Sequence, residues 1–178
     1  ARAFSHVKLK AVGHALQVGK PPSDGEWFFV GILVNKGDNK RTRTGGSMVR
    51  WTLSDLSYER HEVCLLLFGD AQQNQSFAAR PGEVVAVLNP KVMPARAGFQ
   101  EASALSVDTR QQVVRVGTSS DFAFCTEETA RNRPCQQWVN KRLGECCDAH
   151  AARKLKRMHA GESKAPQRSA AARPSQSG

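Results

Sequence analysis

Residues 62–90 read EVCLLLFGDAQQNQSFAARPGEVVAVLNP. The run Glu62–Gly69 reads as a strand too apolar to be exposed on both faces. Asp70 then stands as an N-cap and Pro81-Gly82 as a stop, so a short helix fills the interval. Glu83–Pro90 is another apolar strand, ended by a proline that cannot donate to a ladder. A helix between two such strands constrains the fold more than any other feature of the chain, once the strands on either side are counted.

Upstream, Trp27–Asn35 (WFFVGILVN) is an apolar strand with Gly31 at its centre, where a barrel corner bends. Residues 36–46 (KGDNKRTRTGG) form a loop with Lys36, Lys40, Arg41 and Arg43 against one acid. In SMVRWTLSDL, residues 47–56, Val49, Trp51 and Leu53 point one way and Met48, Arg50 and Thr52 the other, the pattern of a half-buried strand. Downstream, a Pro- and Gly-bearing loop carries Lys91, Arg96 and Phe99, and ASALSVD and QQVVRVG supply the last strand material. Three strands, a helix and further strands in this order describe a mainly β protein, a five-stranded Greek-key OB barrel with its helix between strands three and four. A generic small barrel or sandwich is the alternative, and the helix placed after strand three favours the OB reading. Residues 1–26 read as an N-terminal arm with a short strand in AFSHVKLKAVG, and residues 27–118 as the barrel.

The net charge is +10, of which +6 falls in residues 151–178, with seven Lys or Arg and one Glu. Such a balance calls for an anionic partner, nucleic acid or membrane surface. No apolar run approaches the roughly 20 residues that span a bilayer, which sets membrane insertion aside. The first residue is not methionine, so the chain reads as a fragment of a longer protein, and the lack of a visible leader carries little weight. AARKLKRMHA makes a short basic helix. Residues 156–178 as a whole are poor in apolar anchors and read as a disordered basic tail.

Of five cysteines, Cys64 lies alone mid-strand as a small core hydrophobe. The other four crowd into residues 125–147, with His150 just beyond. This is metal-site usage rather than a disulfide framework. Two frames fit zinc: Cys-x9-Cys-x11-Cys-x2-His through Cys147, or Cys-x9-Cys-x10-Cys-x3-His through Cys146. Spacing alone leaves both open. Four protein ligands would close the shell, so the ion is structural, and residues 119–155 need it because Phe122, Phe124, Trp138, Val139 and Leu143 are nearly all their large apolar content.

Taken in order, FFVGIL, WTLSDL, LLLFG, GEVVAVLNPKVMP and LSVDTRQQVVRVGTSSDFAFC, followed by Pro134-Cys135 and Val139-Asn140, resemble the internal domain of the minichromosome maintenance protein ten family. The similarity spans about residues 27–155, with FSHVKLK matched to the arm before the barrel. The resemblance selects Cys125, Cys135, Cys147 and His150 as ligands of one structural zinc and leaves Cys146 aside. It implies a nuclear, non-catalytic module of DNA replication. Such a module binds single-stranded DNA, and duplex DNA less selectively, and connects the replicative helicase to DNA polymerase alpha–primase, with the sliding clamp as a further partner. This fragment is expected to be a monomer.

On the barrel, the residues expected at nucleic acid are Lys40, Arg41 and Arg43 in the first loop, Arg50 and Trp51 on the second strand, and Lys91 and Arg96 after the fourth. Trp51 is either a stacking platform or core, since it faces away from Arg50. In the finger, family members carry a lysine run between the first two ligands. Here TEETARNRP puts Glu127 and Glu128 in those places, leaving Arg131, Arg133, Lys141 and Arg142 as the nearby cations. Two other functions fit the same residues: an RNA- or general nucleic-acid-binding OB–zinc protein, and a protein-interaction module with a peptide in the barrel groove. No Gly-rich phosphate loop, framed carboxylate pair or nucleophile with a placed base supports an enzyme.

Overall fold

The computed structural model describes residues 4–42, 45–75, 79–93 and 104–162. Strand β1 (Ser5–His6) leads into helix α1 (Leu9–Val18). Then follow β2 (Trp27–Arg41), β3 (Ser47–Ser54), β4 (Glu62–Leu67), helix α2 (Gly69–Gln75), β5 (Glu83–Leu88), β6 (Lys91–Met93), β7 (Ala104–Val107) and β8 (Val113–Thr118). A small second sheet of β9 (Phe122–Phe124) and β10 (Trp138–Asn140) is followed by helix α3 (Asp148–Glu162).

Pairing closes the barrel. β2 runs antiparallel to both β3 and β5, and β3 antiparallel to β4. β4 takes β7 in parallel, and β5 takes β8 antiparallel. β7 and β8 are the two halves of one strand, broken by a single 3-10 turn at Arg110–Gln112. The ring is therefore five strands round, with the helix between the third and fourth, as the residues 62–90 pattern requires. The loop expected after Pro90 contributes β6, which pairs with β7.

The core follows from alternation. Phe29 and Leu33 of β2, Val49, Trp51 and Leu53 of β3, Val63, Leu65 and Leu67 of β4, and Val85 and Val87 of β5 all face inward. Gly31 shares that inner face, and a Cβ there would lie 3.1 Å from Leu53 Cβ, so the strands approach too closely for a side chain. The stretch read as an arm contributes to this core. Leu9, Val12 and Leu16 of α1 are buried in it at helical spacing. The helix was not foreseen because its local signals are weak: Gly13 sits mid-helix and Lys8 offers no side-chain cap. Only Gly19, in the left-handed conformation at its end, marks it.

β2 is also longer than expected. It continues through Lys36–Arg41 as a hairpin arm with β3, with register shifts between Leu33 and Asn35 and between Lys36 and Asn39. α3 runs past residue 156, where the tail was expected to begin, because Lys154–Met158 are all good helix formers. Residues 163–178 lie outside the described residues.

The finger is seated on the barrel. Val34, Leu56 and Trp138 form a shared apolar cluster with Ile32 and Phe122 against it. The β3–β4 loop supplies the polar contacts. Arg60 lies 4.4 Å from the centre of the Trp138 ring, donates to the Trp138 carbonyl at 3.0 Å and pairs with Asp148. Trp138 Nε1 donates to Glu62 at 3.0 Å, and Asn140 Nδ2 to the Leu56 carbonyl at 2.8 Å. Gly82, at φ +95°, presses on the Phe122 ring, where a Cβ would sit 2.9 Å from Cδ1.

Two glycines therefore give opposite outcomes. Gly82→Ala is expected to destabilise the chain by about 1–2 kcal/mol through strain and collision. Gly13→Ala, with nothing within 4 Å of its added Cβ, is expected to stabilise it by about 0.5–1 kcal/mol. Chemical denaturation of the two variants checks both signs.

Candidate metal centre and nucleic-acid face

The metal site is built by a hairpin and a helix start. β9 and β10 pair through Phe124 and Trp138, Ala123 and Val139, and Phe122 and Asn140. Cys125 leaves β9, and Cys135 returns just before β10. Between them the chain turns at Thr129–Arg133, with Asn132 at φ 53°. Cys147 immediately precedes α3 and His150 lies in its first turn, so their three-residue offset puts both on one face. The ligand atoms of Cys125, Cys135, Cys147 and His150 all lie within 4.8 Å of one another, and all four residues are buried. His150 Nδ1 stands 3.3 Å from the sulfurs of both Cys125 and Cys147.

Charge makes the same case as geometry. Burial pushes the Cys125 thiol up, but the backbone N–H groups of Cys147 and Glu127 and the His150 ring outweigh it, leaving it at about 7. Burial pushes the Cys147 thiol up, and the neighbouring Cys125 and Cys135 sulfurs reinforce that rise. Three thiols this close cannot all ionise without a cation among them; a divalent ion relieves the conflict. The group is suited to hold one zinc ion, with all four positions filled by protein, and so to staple the finger.

Cys146 is turned elsewhere. Its sulfur accepts from Lys154 Nζ at 3.3 Å and lies 3.8 Å from a Glu127 oxygen. Glu127 and Lys154 pair at 2.7 Å, which holds the carboxyl below and the ammonium above their ordinary ranges. Glu127, standing where a lysine run was looked for, thus braces α3 against the ligand loop.

The expected nucleic-acid residues are spread over both parts. Val49, Trp51 and Leu53 face inward, so Met48, Arg50 and Thr52 face out, and Lys40, directly opposite Met48, shares that outer face. Beside it runs a groove of about 590 Å³ between α1 and β3–β4, with Lys10, His14, Arg50 and Cys64 among its walls. Arg41 lies at the hairpin end with Phe68 in a second concavity. Trp51 is fully buried and leaves the candidate face: with no ring surface exposed, no base can stack on it. Lys91 is exposed and pairs with Asp108 at 2.7 Å. Arg131 and Arg133 are exposed at the tip of the ligand loop; Lys141 is exposed, and Arg142 pairs with Asp121 at 3.0 Å. Arg43, Arg96 and Phe99 lie outside the described residues. Arg60 and Phe68 were missed. Nothing in SYERHE marks Arg60 as an inter-module contact, and Phe68, 22 residues beyond the basic loop in the sequence, meets Arg41 only in the fold.

Ser57, His61 and Asp55 also lie together, with His61 Nδ1 3.0 Å from Ser57 Oγ and 2.9 Å from Asp55 Oδ2. Both partners meet the same ring nitrogen, whereas a nucleophile–base–acid relay needs them on opposite ones. With Glu59 on Nε2 at 2.8 Å, the cluster braces the loop that carries Arg60.

Fold and site together define an OB-fold protein with an appended zinc finger. The family model described as MCM10 OB-fold matches residues 2–114, and the one described as primase zinc finger matches residues 117–162. The chain belongs to the MCM10 family. It is 31% identical over 152 residues, 85% of its length, to the protein MCM10 homolog of Drosophila melanogaster, of which that match covers 19%. Against the human MCM10 homolog the identity is 30% over 135 residues, 76% of this chain and 15% of the relative. The chain therefore spans less than a fifth of the length of these relatives. Among solved structures, the mitochondrial single-stranded DNA binding protein Rim1 of S. cerevisiae superposes with a TM-score of 0.41 at 14% identity, covering 53% of this chain and 98% of that one.

Cys147→Ser is expected to lose the zinc and unfold the finger, while Cys146→Ser keeps about one zinc per chain. Atomic absorption on the two purified variants reads the difference, and the reverse pattern would overturn the ligand assignment.

Proposed function

We propose that this chain is a non-catalytic DNA-binding and scaffolding module of a nuclear DNA replication factor, one that binds single-stranded DNA and, less selectively, duplex DNA. The observation that carries the reading is the outer face of β3: Arg50 and Lys40 lie on it beside a groove walled also by Lys10, which pairs with Glu59 at 2.7 Å, on the strands where OB-folds take their ligands. Family membership supports it, as does the name of the Schizosaccharomyces pombe relative, DNA replication licensing factor mcm10, 27% identical over 146 residues. Arg41, Lys91, Arg131, Arg133, Lys141 and Arg142 are read as further phosphate contacts, as are Arg43 and Arg96 on the strength of the sequence alone. The replicative helicase, DNA polymerase alpha and the sliding clamp are the protein partners this reading carries, with the fragment itself a monomer.

The chemistry of the face sets the mode of binding. No Phe, Tyr or Trp lines the groove beside Arg50 among the described residues, so phosphate neutralisation supplies most of the affinity there. Phe68 beside Arg41 is the ring placed to stack a base.

Fluorescence anisotropy across a salt series tests this. Replacing Lys40, Arg41 and Arg50 together by Ala should weaken binding of a single-stranded oligonucleotide about tenfold or more and flatten the log–log salt slope by about 0.7 for each phosphate no longer neutralised. Unchanged affinity and slope would remove the barrel face from the proposal. Equal or tighter binding of the matching RNA would count against a replication role.

A further inference from the structure

The barrel sheet ends on an unprotected strand. β8 pairs with β5 along one edge and with no other strand among the described residues. From Val114 onward its second edge therefore keeps a line of backbone N–H and C=O groups open. Proteins blunt such edges by keeping them short or by placing charge on them. β6, at the other end of the sheet, does both: it is three residues long and begins with Lys91. β8 does neither. It is six residues long, every residue after Val113 is exposed, and its one charge, Arg115, is taken by Glu83 of β5, which is only 5% exposed.

The side chains beside this edge are as unusual as the edge. An antiparallel sheet with one face on a core ordinarily turns polar residues outward. Here Phe29, Val85, Val87 and Val113 face inward, so the residues that alternate with them face out. One outward row crosses three strands, with Val30 opposite Ala86 and Ala86 opposite Val114. The next row is Ile32, Val84 and Gly117. Neither row holds a polar side chain, and both run out at the open edge. Val116, the extra residue where the register shifts between Val84 and Val85, is 63% exposed, and Val114 is 45% exposed.

The backbone decides what kind of partner fits. Open ladder groups are satisfied by another extended chain, whereas a helix has already spent its own donors and acceptors. The side chains decide its composition. With no uncommitted charge on β8, an added strand finds only Val114 and Val116 beside it, and β-branched neutral residues pack best there. Phosphates find no free cation on β8, which sets nucleic acid aside. A second copy of β8 fits poorly, since pairing about a two-fold axis would set one bulged strand against another.

We propose that the open edge of β8, residues 114–118, receives an extended, uncharged segment of a partner protein as an added antiparallel strand, with Val114 and Val116 packed beside its β-branched side chains. None of residues 114–118 belongs to the proposed DNA contacts, so the two readings stand or fall separately.

The test uses the full chain and a fluorescein-labelled peptide of about eight residues that alternates valine and threonine between polar ends. A control peptide of the same sequence is N-methylated at every residue, which removes its backbone donors. The first peptide is expected to bind, and the methylated one to bind at least about tenfold more weakly. Amide hydrogen exchange should slow at residues 114–118 when the first peptide is added. Val114→Ser/Val116→Ser should weaken that peptide about tenfold while zinc content, thermal midpoint and affinity for a single-stranded oligothymidylate stay unchanged. Both positions are exposed, so the variant keeps the core intact. The proposal is overturned if the first peptide does not bind, if both peptides bind alike, or if the Ser variant binds it as well as the parent does. Protection that appears along β3 and β4 instead of β8 overturns it too. So does sedimentation showing that the chain alone dimerises through this strand, because the edge would then belong to a second copy.

Discussion

One strand must satisfy two ladders and two cores at once, and the rest of the molecule is arranged round that demand. β2 pairs with β3 along one edge and β5 along the other, and takes the short β1 as well. Its first half gives Phe29 and Leu33 to the barrel interior. Val34, one residue on, turns the opposite way to meet the finger's Trp138. Beyond two register shifts the same strand becomes a polar arm bearing Lys40 and Arg41. The bulges make this sequence of duties possible, since each re-aims the side chains that follow it. Alternation alone sets Val34 opposite Leu33 and beside Ile32, and the shifts re-aim the residues beyond it.

The finger depends on this arrangement because its own core is slight. Its apolar cluster is Cys125, Cys135, Cys147 and Val139, with Ala123 and Cys146 against them. A metal supplies the cohesion that so few apolar atoms cannot. The barrel supplies the rest by accepting Trp138, and the loop that receives it is strained to do so. Leu56 and Arg60 both have positive φ, 53° and 54°, a conformation costly for side chains of that size. Leu56 is held there by burial beside Val34 and by the Asn140 amide on its carbonyl, and Arg60 by its three contacts with Trp138 and Asp148. The strain lies where barrel and finger meet, as expected of a conformation imposed by packing rather than by local preference.

The barrel and the ligand set were legible in the sequence for different reasons. Alternation in β3 and the apolar runs of β4 and β5 are forced by burial, and burial leaves a period that can be read. The ligand frame was legible because tetrahedral coordination restricts spacing, although choosing Cys147 over Cys146 needed the family resemblance. The structure adds the physical reason, Lys154 holding the Cys146 sulfur aside. What could not be read had no local imprint. α1 is stabilised by packing that overrides a poor propensity, and the extension of β2 through KGDNKR depends on its hairpin partner rather than on its own composition. Trp51 remained ambiguous because alternation places it opposite Arg50 without saying which face is wet. Arg60 was invisible because its partners lie 78 and 88 residues away along the chain.

The two family models abut at residues 114 and 117, inside β8, which still pairs with β5 as far as Thr118. That junction is a boundary of sequence description and not of folding. A recombination event at that point would strip Trp138 of Leu56, Arg60 and Glu62, and would part Gly82 from the ring it was left bare to receive. In this chain barrel and finger are therefore one folding piece, and a change in the β3–β4 loop bears directly on the seat of the finger.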